Sequence, residues 1–434
     1  MIVVTELAYR FVQALLQLLT HPFYYIGILF IILQYRRHIA FERKLFSTKL
    51  HSLLPETWRA VLWGWVGGLL ASVLMALVGA TIQAEAVILL WILSLLLIFI
   101  RVRYLCWAYA VGVIGVLQVA FKTIPGLKET EALQWLSGPL LELSIPAMLA
   151  LVAILHFVEA IYVRRQGTRL GMPLFFESKR GKIVGGYHLQ GFWPMALFLI
   201  VPLEGGGGAS LPWTPLLGGD LWSGGWTIIG FPVMIGFTEM TMSRLPQDKV
   251  KISSKLLMGY AVVLLGFAYL AHLWPALTLL GAMLSIGLHE AIILYSRWEE
   301  TNRTPYYVHS SKGLKILGIL PGSAAEELEL QVGEVLHKVN GMPVRTKDEL
   351  HQAMQLNPAF CKLEVLNLAG ESKFVKRAIF SDEHHQLGIL LAPDQNAPFY
   401  AEEQQNSILA YFSRKLTGLL SNRSGPGSTG TKSL

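Results

Sequence analysis

The sequence predicts a polytopic α-helical membrane domain of about eight or nine spans, followed by a small soluble α+β domain. Three observations carry that prediction. Mean hydropathy is +0.47, with 53% hydrophobic and 15% charged residues, well outside the range of a soluble chain of this size. Charge-poor apolar runs recur as far as residue 296, and crossing the hydrocarbon takes about 20 such residues in a helix. Beyond residue 303 the pattern changes to strand-like alternation with turn dipeptides.

The candidate spans are 11–34, 60–82, 86–100, 104–121, 139–163, 191–203, 226–242, 256–273 and 276–296. The hydrophobic start lacks the basic residues and the small-residue cleavage site of a signal peptide, so it is expected to be retained. Arg36, Arg37, Arg43, Lys44, Lys49 and Arg59 fall on one side. Arg101, Arg103, Arg164, Arg165, Arg169, Lys179, Arg180, Lys182, Arg244, Lys249, Lys251 and Lys255 follow on that same side. Only Arg10, Lys122 and Lys128 lie opposite. The bias places the basic loops and the C-terminal domain in the cytoplasm and the N-terminus outside. Segment 191–203 spans only about 20 Å as a helix and contains Pro194. The basic loops around it require 191–203 and 226–242 both to cross or both to fail to cross. Thr20, His21 and Pro22 could break the first span; a re-entrant 22–34 would then leave the N-terminus in the cytoplasm.

Between the spans, segment 35–59 with FERKLF predicts a helix along the inner membrane face, and 164–190 a second large basic loop. Either could attract anionic lipid, at roughly 1 kcal/mol per basic residue, or serve only to set topology. The net charge of +7 is accounted for by these loops and implies no nucleic-acid partner. Segment 204–225 is Gly-rich but lacks the Lys-Ser/Thr ending of a phosphate loop. It reads as a flexible link with Trp213, Trp222 and Trp226 at the interface. Gly64 and Gly68 form a GxxxG that would permit a homo-oligomer through close helix contact. Cys106 and Cys361 are isolated and give neither a disulfide framework nor zinc spacing.

In the soluble part, Leu314 to Leu320 predicts a strand, and Pro321-Gly322 a turn. Ser323 and Glu326 have the spacing of a capping box. Val335 to Val339 resumes strand character, and Asn340-Gly341 is the dipeptide of a type I′ hairpin. Residues 346–356 form a helix that Asn357-Pro358 stops, and Cys361–Leu368 and Ser372–Ile379 pair around Ala369-Gly370. A tail from 396 holds one amphipathic turn pattern, Ile408, Phe412, Leu416 and Leu419, before a polar end too Gly-rich to pack.

Pro321-Gly322-Ser323-Ala324-Ala325, Gly333-Glu334-Val335 and Val339-Asn340-Gly341 resemble the recurrent motifs of bacterial PDZ domains over roughly 305–395. The resemblance implies domains at 1–300 (membrane), 303–395 (PDZ) and 396–434 (tail). It further implies a peptide groove in which Leu387-Gly388-Ile389 offers backbone N–H groups to a terminal carboxylate. Leu391 would continue the docking strand, with Leu350, Ala353 and Met354 on the opposite wall. The alternative is that these are core residues of a vestigial groove.

The rival function is catalytic. His289-Glu290-Ala291-Ile292-Ile293 departs from the His-Glu-x-x-His of membrane metalloproteases, because Ile293 cannot ligate zinc. His156 and Glu159 are one turn apart, and Glu142 and Glu239 are further ionisable groups near spans. Such groups are expensive at depth and often functional, so a metalloprotease relative or a transporter is the alternative. The expectation is no enzyme, no cofactor and no metal. The full pattern, from HPFYYIGILFIILQYRRHIAFERKLF to a single C-terminal PDZ-like domain, resembles the MinJ family of division topological determinants of Gram-positive rods. That resemblance implies a bridge between a polar DivIVA-like protein and a MinD-like division inhibitor, enriched at septa and poles.

Overall fold

The computed structural model describes residues 2–378, except 81–83, 125, 128, 129, 131, 132, 179, 203–212, 214 and 218–224, together with 387–393. The first apolar run breaks where its sequence indicates: α1 (Ile2–Thr20) and α2 (Pro22–Phe46) meet at a 54° bend. Pro22 opens α2, a position where its missing N–H costs no helical hydrogen bond. The helix runs on through FERKLF to a left-handed Ser47, so the basic segment 35–59 is divided between the end of α2, a short connection and the start of α3, and is not a separate surface helix. Next come α3 (Leu53–Val78), α4 (Ala84–Ile100), α5 (Trp107–Thr123), α6 (Gln134–Glu142) and α7 (Ile145–Gln166). After a sheet follow α8 (Pro246–Leu273) and α9 (Thr278–Asn302). Among the described residues, four helices are long and apolar enough to cross a membrane, five if the bent pair is one span. α4 and α5 are shorter. The central helix is α7, apolar on every side, with 83% of its hydrophobic window buried in the protein; it therefore has almost no face left for lipid.

Two expected spans are not helices. Of these spans, residues 191–202 lie in β2 (Ile183–Pro202) and 226–241 in β3 (Trp226–Thr241), and the expected loop 164–190 contains β1 (Gly171–Glu177) and the start of β2. The three strands are antiparallel in the order β1-β2-β3, with β2 and β3 paired from Tyr187↔Thr241 to Pro202↔Trp226. Gly191, Pro194, Gly230, Pro232 and Gly236 interrupt these segments. A helix would lose about 1 kcal/mol at each glycine and about 3 at each proline, whereas their aromatic and β-branched residues fit a pleated surface.

Sheet edges in an apolar surround must be satisfied internally, and two helices do this. Phe198 N–H donates to Ser72 Oγ of α3 at 2.7 Å, and Gly230 N–H to Gln17 Oε1 of α1 at 3.3 Å. The glycines of the GxxxG set the approach. A Cβ on Gly64 would stand 2.8 Å from Pro194 C, and one on Gly68 would stand 2.6 Å from Ala196 C and 2.7 Å from its N. The motif is therefore occupied by β2 of the same chain and is not an open seam for a second copy. Trp226, expected at the interface, is instead buried, with the Arg10 guanidinium 4.8 Å over its ring. Most of 204–225 falls outside the described residues; Trp213 donates to Ala76 O at 2.9 Å.

The C-terminal part comprises β4 (Leu314–Ile319), α10 (Ala324–Glu327), β5 (Val335–Val339), β6 (Met342–Pro343), α11 (Lys347–Gln355), β7 (Phe360–Leu366), β8 (Ser372–Ala378) and β9 (Ile389–Leu391). Its sheet runs β8-β7-β5-β4-β9, with β6 on β5. Asn340 and Gly341 are both left-handed, at φ 51° and 85°, as a type I′ turn requires. The capping box expected at Ser323 is not formed: the Ser323 side chain makes no cap bond, and Glu326 instead accepts from Gly322 N–H at 2.6 Å. A full capping box stands at α11, where Thr346 and Glu349 exchange bonds. The tail pattern at Ile408, Phe412, Leu416 and Leu419 lies outside the described residues.

Candidate functional site

The residues expected to line a groove converge. Leu350 and Ala353 come from one face of α11, Leu387 precedes β9, and Ile389 and Leu391 lie on it; all five join one buried apolar cluster, with Met354 at its margin. β9 pairs with β4 through Ile316↔Leu391, Gly318↔Leu390 and Ile319↔Ile389. It is the last strand on its side of the sheet, so its outer backbone edge is the surface to which a peptide strand could add. Leu387 and Gly388 are left-handed, at φ 56° and 78°. Their carbonyls are held by the N–H groups of Ala325 and Leu320, each at 2.9 Å. In a trans peptide the following N–H points opposite to the carbonyl, so the N–H groups of Gly388 and Ile389 are turned away from that anchor. Gly388 packs so tightly on Ser323 that any Cβ would overlap it, which ties the loop to the Pro-Gly-Ser-Ala-Ala turn.

The opposite face of β4 leaves this core. Leu317 and Tyr307 are fully buried and belong to the core formed by the helices and the three-stranded sheet, as does Ala392. Tyr187 of β2 donates to Leu317 O, Gly185 N–H to Tyr307 O at 2.8 Å, and Tyr306 N–H to Met242 O at 2.7 Å. Lys315 donates to Tyr306 O at 2.8 Å and lies 4.1 Å over the Tyr306 ring; burial lowers its pKa. A cleft of about 510 Å³ opens here, lined by Ser243, Arg303, Tyr306, Val308 and Lys315 among others.

Just beneath it, an ionic network joins β3, α8 and α9. Fully buried Lys249 lies 3.4 Å from Glu239, 3.6 Å from Glu299 and 3.5 Å from Glu300. Glu300 also accepts from the N–H groups of Met242 and Ser243, each at 3.0 Å. A buried charge of this kind persists only when paired and hydrogen-bonded, so Glu239 has a structural partner set.

The remaining ionisable groups within the helices also meet. Cys106 Sγ lies 3.4 Å from His156 Nε2 and 3.7 Å from His289 Nε2; Glu159 Oε2 is 4.0 Å from His156 Nε2. Glu290 is engaged elsewhere, accepting from Tyr109 OH at 2.8 Å and pairing with Arg103 at 2.9 Å. Sequence spacing pointed to His289 and to the His156–Glu159 pair but not to Cys106, which reaches them from another element.

Comparison with known proteins agrees with both parts. The PDZ domain family matches residues 315–366. The cell division topological determinant MinJ of Bacillus subtilis (strain 168) is 30% identical over 385 residues, covering 86% of this chain and 93% of that protein. The probable cell division topological determinant MinJ of Lacticaseibacillus paracasei is 25% identical over 358 residues, covering 82% of this chain and 91% of that protein. The counterpart from Lacticaseibacillus casei (strain BD-II) gives the same values. No solved structure matches. An identity of 30% sustained across the helices, the sheet and the C-terminal domain places this chain in the MinJ family of cell division topological determinants.

Proposed function

We propose that this chain is a non-catalytic membrane scaffold for division-site placement. Its cytoplasmic loops and PDZ domain bridge a polar DivIVA-type protein to the MinCD inhibitor. The observation that carries this reading is the full-length kinship with proteins named as division topological determinants, joined to a PDZ domain. The proposed organisation is a membrane domain over 1–300, a cytoplasmic PDZ domain over 303–395 and a tail over 396–434, with enrichment at septa and poles. Leu387, Gly388, Ile389 and Leu391 form the peptide-docking edge, and Leu350, Ala353 and Met354 the facing wall. Confinement to the membrane raises the effective concentration of partners that are themselves membrane-bound, so weak individual contacts suffice. The catalytic reading lacks its motif, because Ile293 stands where a second histidine ligand would be required.

The test is localisation of the fluorescently tagged full-length chain beside a chain truncated at Arg303. Truncation removes Tyr307 and Leu317 from the core formed by the helices and the three-stranded sheet, so a full-length Met354→Glu variant, altering a partly buried residue at the margin of the cluster, is needed as a third arm. Septal and polar signal, with inhibitor recruitment lost in Met354→Glu, is the expected result. Uniform membrane signal and normal division on deletion would refute the scaffold reading.

A further inference from the structure

Cys106 caps the start of α5, His156 lies midway along α7 and His289 lies in α9, so three elements distant in sequence deliver one sulfur and two imidazoles to one point. Their ligand atoms all lie within 4.8 Å of one another. The hydrogen bonds around them fix which nitrogens are bare. His156 Nδ1 is 2.8 Å from Val152 O; a carbonyl only accepts, so Nδ1 carries the proton and neutral His156 presents an unprotonated Nε2. Tyr109 OH gives its proton to Glu290, so the Tyr109 oxygen, 3.1 Å from His289 Nδ1, accepts from it. Neutral His289 therefore also presents an unprotonated Nε2. Both lone pairs face Cys106 Sγ, and a thiol has one proton to give. A purely hydrogen-bonded cluster leaves one buried acceptor unsatisfied, which is costly.

We propose that Cys106, His156 and His289 bind a zinc-class divalent cation; Glu159 approaches His156 Nε2 at 4.0 Å but stands outside the three converging ligand atoms. Zinc–sulfur and zinc–nitrogen bonds of about 2.3 and 2.0–2.1 Å at a tetrahedral angle put sulfur and nitrogen roughly 3.5–3.6 Å apart. The observed separations of 3.4 and 3.7 Å straddle that value. The Nδ1 bonds to Val152 O and Tyr109 are the outer partners that orient ligating imidazoles in metal sites. A donor set of one thiolate and two imidazoles suits zinc-class ions and not magnesium or calcium. On binding, the Cys106 S–H bond breaks, a sulfur–metal bond forms and the proton leaves to solvent. The ion would pin α5, α7 and α9 together, and α9 carries Glu299 and Glu300 of the network beneath the PDZ junction. This proposal is independent of the scaffold reading.

The test uses the full chain in detergent, with metal content measured as purified and after exposure to zinc or cobalt(II) alone. Expected are about one equivalent of zinc per chain and, with cobalt, a thiolate-to-metal charge-transfer band. Cys106→Ser should lose the band and His289→Asn should weaken binding at least tenfold. Cys361→Ser should change neither, because Cys361 lies in the core of the other domain, where burial pushes its thiol up to about 12. An unmodified chain that retains no zinc and binds no cobalt, or binds cobalt without a thiolate band, would overturn the proposal whatever the variants do.

Discussion

Replacing Gly68 by alanine tests the packing of α3 on the buried sheet. The new Cβ would stand 2.6 Å from Ala196 C and 2.7 Å from Ala196 N, and closer still to its carbonyl oxygen. These are backbone atoms, so no rotamer change relieves the overlap, and β2 must move by roughly 1 Å or more to restore van der Waals contact. That movement also stretches the Phe198 N–H bond to Ser72. Overpacking of this kind costs about 1–3 kcal/mol, and a backbone clash belongs at the upper end. Alanine regains about 1 kcal/mol of helix propensity, leaving a net loss of about 1–2 kcal/mol. Gly266→Ala is the control: nothing lies within 4 Å of its Cβ position, so only the propensity gain remains. The assay is thermal unfolding in detergent, followed by tryptophan fluorescence, with cross-linking in parallel. If Gly68→Ala were as stable as Gly266→Ala while abolishing self-association, the glycines would serve a dimer seam and the packing argument would fail.

Leu317→Ala should cost about 2–5 kcal/mol, the usual range for a fully buried leucine, and should act at the junction. Tryptic cleavage between 303 and 315 is expected to accelerate while the core around Leu336 stays protected; unchanged cleavage would count against the docked arrangement. His51 supplies a pH dependence. Its partial burial disfavours charge, but the hydrogen bond and charge of Glu42 outweigh this and raise its pKa above 6.5. The pair's contribution is therefore fully present below about pH 6.5 and is lost as pH rises through the higher folded-state value. The stability gap between the native chain and His51→Gln should be wider at acidic than at alkaline pH, and an equal gap would exclude the pairing.

Local signals were legible wherever one residue's backbone preference decides the outcome. Pro22 bent the first helix, Asn340-Gly341 made the hairpin, and Thr346 with Glu349 stood ready to cap α11, although the capping signal had been read at Ser323. The β4 segment, Leu314 to Leu320, was visible as a short buried strand. That the second face belonged to another core was not visible, because alternation says that a side chain is buried and not what buries it.

The sequence by itself determined that this is an apolar helical chain ending in a PDZ domain, because hydropathy and turn chemistry are local and additive. Tertiary structure alone decided that two apolar segments are strands, since an apolar run in a buried sheet has no period to distinguish it from a short span. It also decided that Gly64 and Gly68 face β2, and that Cys106 meets His156 and His289. Those three residues are 50 and 133 positions apart along the chain, by subtraction of their numbers, and only the crossing of α7 and α9 beside the start of α5 brings their ligand atoms together.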